Sequence, residues 1–172
     1  MNHEVLEKIP ISGELLEKHF GVTDPDPLWI KFYPDDSENW LGSFANGRLA
    51  FINRKVLDIS QLSKFAVLNN GAFYLIDLNS KEILMHPDET YYCDFEFIAE
   101  NDLLLLATFW AIFVFKANEL IKVINPDFID GIKFKKRIDN LLFGEISDPS
   151  DEKSEFELDI NTLILKWGTY EY

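Results

Sequence analysis

Thiols, imidazoles and positive charge are scarce in this 172-residue chain. Cys93 is its single cysteine, which excludes an internal disulfide and any zinc site built from several closely spaced thiolates. A reducing, cytoplasmic setting is the expectation that follows. The three histidines, His3, His19 and His86, form no i, i+4 pair and no HExxH motif. All eight glycines stand singly, so neither GxGxxG nor GxxxxGKS/T occurs and no phosphate cradle is expected. Lys and Arg together number 16 against 30 Asp and Glu, a net charge of -14. That field repels polyphosphates and anionic membrane surfaces, so DNA, RNA and lipid are poor partners and a basic protein is a good one. Long apolar runs are missing as well. Residues 103–115, LLLLATFWAIFVF, are thirteen in number between Asp102 and Lys116, against about 20 for a bilayer span, and read as buried core. Glu4, Glu7, Glu14 and Glu17 occupy the region where a signal peptide would carry its basic and apolar segments.

Apolar material is nonetheless plentiful, at 47% hydrophobic and 15% aromatic residues. It suffices for a single domain over 1–172, with residues 1–28 as an N-terminal helix and connector and 29–172 as a β-rich body. The helix is expected over 12–20: Ser12 is a suitable N-cap, Leu15, Leu16, His19 and Phe20 make an apolar stripe, and Gly21 is a natural stop. Pro25 and Pro27 end it. Beyond Trp29 the pattern becomes short β runs separated by turns. Residues 40–60 read as strand (40–44), turn, strand (48–53), tight turn, strand (56–60). Residues 63–85 repeat the plan, with Asn69, Asn70 and Gly71 suited to the positive φ of a hairpin turn. Residues 102–124 and 140–167 follow, and 91–98 and 128–136 each offer a leading strand.

The expected fold is therefore mainly β, an antiparallel multi-hairpin meander, propeller-like in its recurrence of short-strand units, with a short N-terminal helix. A curved open sheet or barrel capped by the helix is the competing arrangement. Residues 103–115 fit a buried strand pair or a buried helix equally well.

No catalytic constellation is legible, and no enzyme activity, cofactor or metal is expected. His86 has no serine or cysteine in an elbow motif beside it, and Cys93 lies in another strand. Lys133, Lys135, Lys136 and Arg137 form the one basic run; alternation puts Lys133, Lys135 and Arg137 on one solvated face and Phe134 on the other. The acidic features are richer. Period two over 91–98 points Tyr91, Cys93, Phe95 and Phe97 inward and Tyr92, Asp94 and Glu96 outward, a carboxylate row beside an aromatic ring. Asp148, Asp151, Glu152 and Glu155 lie on or beside a long turn, and Glu155, Glu157 and Asp159 alternate with core-facing Phe156, Leu158 and Ile160. Asp35, Asp36 and Glu38 make a third cluster. The 148–155 loop lacks the central glycine of an EF-hand. The expected partner-binding set is Tyr92, Asp94, Glu96, Asp148, Asp151, Glu152, Glu155 and Glu157, with Tyr92 or Trp40 as aromatic anchor.

A small, acidic chain without catalytic motifs, carrying segments such as ETYYCDFEFIAEND and SDPSDEKSEFELD, resembles the immunity proteins of bacterial polymorphic-toxin and contact-dependent inhibition systems. The resemblance implies a cytoplasmic protein that binds a cognate, basic toxin domain and blocks its active site or substrate groove. A general interaction module on a propeller-like scaffold is the other reading of the same features.

Overall fold

The computed structural model describes the chain except for Met1, Ile9, Glu89, Thr90, Phe128, Asp151 and Thr169, and without the side chains of Tyr170 and Glu171. The chain divides into two compact units, residues 1–90 and 91–172. Each contains two β-sheets, and none of the four sheets closes into a barrel. The expected mainly β class holds. Among the described residues no helix is long and apolar enough to cross a membrane.

In the first unit, β1 (Asn2–Leu6), β2 (Leu16–Phe20), β3 (Leu28–Tyr33) and β4 (Trp40–Phe44) form a sheet of order β1-β3-β4-β2. Its β1–β3 and β3–β4 pairs are antiparallel, while β2 runs parallel to β4. The helix expected over 12–20 is thus replaced by a turn and a strand. Nine residues cannot hold a helix by local hydrogen bonds alone, whereas pairing with β4 satisfies the backbone and stacks Phe20 on Phe44 at 4.8 Å. Gly13, at φ +88°, begins the turn, and Leu16 of the supposed apolar stripe is exposed.

The second sheet is a four-strand antiparallel meander of β5 (Arg54–Ile59), β6 (Lys64–Asn69), β7 (Ala72–Asp77) and β8 (Glu82–Met85). Asn70 and Gly71 take φ of +48° and +100° between β6 and β7, as a two-residue hairpin with the right-handed strand twist requires. The strand expected at residues 48–53 does not form. That segment instead lies on the β6–β7 turn: Gly47 N–H donates to Asn69 O at 2.9 Å, Leu49 N–H to Asn70 O at 3.0 Å, and Asn70 N–H to Asn53 O at 2.7 Å. A Cβ on Gly47 would collide with the backbone of Asn70, Gly71 and Ala72, so glycine permits the approach. The core of this unit joins Phe20, Leu28, Ile30, Phe32, Trp40 and Phe44 to Phe65, Val67, Tyr74 and Ile76.

In the second unit the third sheet is another antiparallel meander, β9 (Asp94–Ile98), β10 (Leu103–Ala107), β11 (Ile112–Lys116) and β12 (Glu119–Ile124). The apolar run is therefore a strand pair. Thr108 makes the turn between its halves, its Oγ1 accepting the Ala111 N–H at 3.0 Å. Every residue of β10 is buried, which is why the run shows no alternation. The fourth sheet orders β13 (Ile132–Ile138), β14 (Leu141–Ser147), β15 (Lys153–Asp159), β16 (Ile164–Trp167) and β17 (Tyr170–Glu171) consecutively. Leu105, Ile112 and Val114 meet Phe134, Leu142, Phe156 and Leu158 in one core.

Candidate functional site

Around β9 Phe95 is buried as expected, but the face expected outward is covered as well. Tyr92 and Asp94, expected outward, are buried, Asp94 to 6% exposure. Asp94 Oδ1 accepts the Phe95 N–H at 2.8 Å, and Oδ2 accepts the N–H of Phe134 on β13 at 2.9 Å. The carboxylate therefore ties the third sheet to the fourth, and the face shared by Asp94, Glu96 and Ile98 looks toward a neighbouring sheet. Tyr92 sits edge-on to Phe113 at 6.1 Å. Trp40, the other suggested anchor, is fully buried and stacked on Phe32 at 4.1 Å. Burial, with the charges of Asp94 and Asp130, pushes the Cys93 thiol up to about 12. It is a thiol, not a thiolate, at neutral pH.

The basic run is engaged. Lys135 pairs with Glu145 at 3.1 Å, and Arg137 makes a two-pronged pair with Glu100 at 3.0 and 3.1 Å. Lys136 lies over the Phe143 ring at 5.6 Å. A bulge between Phe134 and Lys136 shifts the alternation, so Lys136 shares its face with Lys133, while Arg137 pairs in register with buried Leu142. The expected common face of Lys133, Lys135 and Arg137 is corrected accordingly.

The long turn and β15 keep the predicted alternation. Phe156, Leu158 and Ile160 are buried, and Glu152, Glu155 and Glu157 are exposed. Asp148 closes the turn: its Oδ1 accepts the Ser150 N–H and Oγ–H, both at 2.8 Å, and the Glu152 N–H at 3.0 Å. The Ser150 hydroxyl foremost, with these amides, holds its carboxyl below the usual range. Asp151 lies outside the described residues. Glu155 stands directly across from Glu145, and Glu157 across from Phe143 and Lys166. Among the described residues Glu152, Glu155 and Glu157 take part in no ion pair. Asp35 and Asp36 line an open polar cleft with Ser60, Gln61 and Asn79.

One constellation escaped the sequence reading. Parallel pairing sets His19 of β2 beside Ser43 of β4, and Trp29 of β3 stands on the other side of Ser43 in the same row. His19 Nδ1 is 3.0 Å from Ser43 Oγ, and its Nε2 is 3.5 Å from Glu17 Oε2. Glu17 Oε1 accepts the Gly13 N–H at 3.0 Å, and that bond foremost holds the carboxyl below its usual range. The row borders a cavity of about 440 Å³ walled by Phe20, Val22, Pro25, Pro27 and Ala45. No spacing signals it, because 24 residues and a nonlocal pairing separate His19 from Ser43. Among the described residues no three His, Cys, Asp or Glu side chains are placed to hold a metal ion.

No protein-family model matches the chain, and no curated protein does. Solved structures are similar to it. A crystal structure of a eukaryotic initiation factor aligns at a TM-score of 0.50 and 12% identity, covering 85% of this chain and 41% of that one. The S. cerevisiae core factor aligns at a TM-score of 0.43 and 16% identity, covering 84% of this chain and 28% of that one. The chain thus spans about two fifths of the first and under a third of the second. At such identities the likeness to the initiation factor is one of fold.

Proposed function

We propose that the protein is a cytoplasmic immunity protein that binds and neutralises a basic toxin domain, without catalysis by the binding surface. The observation that carries this reading is the exposed carboxylate row of β15. Glu155 and Glu157 project from a strand whose alternate residues are locked in the core, and they have no ion pair among the described residues. Glu145 directly opposite Glu155 already holds Lys135 at 3.1 Å, which leaves the Glu155 carboxylate itself without a cation. A Lys- or Arg-rich surface would supply one, and a net charge of -14 would speed its approach.

With Tyr92, Asp94 and Trp40 buried and Glu96 on the face of β9 that looks toward a neighbouring sheet, the proposed contacts narrow to Asp148, Glu152, Glu155 and Glu157. Phe143, half-buried and across from Glu157, takes over as the aromatic anchor. The recurrence of four-strand antiparallel meanders, β5–β8 and then β9–β12, supports a propeller-like scaffold. It equally favours the second reading, a general interaction module holding several partners more weakly.

The test is growth protection. The polypeptide encoded immediately upstream is expressed in a bacterial host alone, with this protein, and with its E155K/E157K variant. Rescue by the native protein and a co-purifying complex are expected, with affinity reduced about 10- to 100-fold in the variant. Toxicity without rescue would overturn the immunity reading. Rescue undiminished by the double reversal would remove β15 from the interface.

A further inference from the structure

We propose that Ser43 is a nucleophile and the cavity beside it a carboxylic-ester hydrolysis site for small acyl groups. The proposal uses only residues of the first unit and stands apart from the acidic strand β15. Three observations meet there. The first is the chain Glu17–His19–Ser43, with Nε2 of the imidazole toward the carboxylate and Nδ1 3.0 Å from the serine oxygen. With Nε2 facing the Glu17 carboxylate at 3.5 Å, the tautomer protonated at Nε2 leaves the Nδ1 lone pair aimed at the Ser43 hydroxyl, the arrangement of an oriented base beside a nucleophile. Glu17 is itself held by Gly13, so the base has a fixed support.

The second observation is space. The cavity of about 440 Å³ opens beside Ser43, and Val22, Pro25 and Pro27 give it apolar walls suited to an alkyl chain. Carboxylates on the same side, Glu17 and Asp24, disfavour an anionic substrate and favour a neutral ester. The third is a set of unused donors. The backbone N–H groups of Gly21, Val22 and Thr23, in the loop that rims the cavity, donate to no described group. Gly21, at φ +88°, lies so close to Tyr74 and Ala45 that a Cβ there would meet them at 2.5 and 2.9 Å, which pins the loop. Such amides are the groups that stabilise an oxyanion.

The reaction balances with water as the only co-reactant. Ser43 Oγ attacks the ester carbonyl carbon as its proton passes to His19 Nδ1, and the carbonyl electron pair moves to oxygen. Collapse breaks the bond to the alkoxy oxygen, which takes the proton from Nδ1 and departs as alcohol. Water then gives its proton to Nδ1 and attacks the acyl-serine. Ser43 regains the proton, and the carboxylic acid leaves. Glu17 is a positioning residue that holds the imidazole tautomer.

The experiment uses the full-length protein with p-nitrophenyl acetate and butyrate as substrates and an alkyl fluorophosphonate as covalent probe, read by peptide mass spectrometry. Labelling at Ser43 is expected, together with turnover that S43A and H19N lower at least about 100-fold. E17Q is expected to lower kcat while leaving KM within about twofold, a split that a purely structural role would not produce. A native protein that is unlabelled, is labelled elsewhere, or turns over no faster than S43A would overturn the proposal. The labelling result needs no variant and so does not depend on any variant folding.

Discussion

Asp94 converts an apparent surface carboxylate into an internal fastener. Its two oxygens take backbone N–H groups from two strands, so removing it strips a charged acceptor and strands the Phe134 amide in the core. D94A is expected to lose roughly 2–4 kcal/mol in urea unfolding, with D94N losing less because its amide oxygen still accepts. Gly47 is as exacting for a steric reason. G47A must push the 45–53 segment off the β6–β7 turn and is expected to cost about 1–3 kcal/mol. Cys93, half-buried and with its ionisation pushed up to about 12, should react with a disulfide reagent at neutral pH far more slowly than a free thiol, because little thiolate forms. Modification as fast as that of a free thiol would contradict the raised value.

At the scale of elements, the same turn closes two different sheets. Asp77 at the end of β7 accepts the amides of Asn79 and Ser80, and Asp159 at the end of β15 accepts those of Asn161 and Thr162. In each case the residue four positions on, Lys81 or Leu163, returns its N–H to the aspartate carbonyl at positive φ. DLNSK and DINTL are thus one device written twice, at the last turns of the units over 63–85 and 140–167. These amides, Ser80 foremost for Asp77 and Thr162 foremost for Asp159, hold both carboxyls below the usual range, as Ser150 does for Asp148. A depressed native value adds stability that is complete above the unfolded value near 3.9 and is lost as pH falls through the lower native one. Denaturant midpoints should therefore fall most steeply below about pH 4. D77N and D159N, which keep the accepting oxygen and lose the titration, should flatten that limb. An unchanged acid limb in the double variant would show that these turns do not set it.

At the scale of the whole molecule, charge governs association. If a basic partner is captured through β15, its association rate should drop roughly tenfold or more between low and physiological salt, while dissociation changes far less. A salt-insensitive rate would point to apolar docking instead. The charge of -14 and the period-two pattern of β15 were readable from the sequence because they depend only on composition and on alternation along one strand. The positive φ at Asn70 and Gly71 was equally legible, since a local backbone preference decides it. Three features belong to tertiary structure alone. Residues 16–20 are a strand because β4, more than 20 residues onward, supplies their hydrogen bonds. Tyr92 and Asp94 are buried because alternation separates two faces of a strand without saying whether both will be covered, as Phe95 and Asp94 both are. His19, Ser43 and Glu17 meet because a parallel pairing brings them level, and no local pattern encodes the register of a strand with a distant partner.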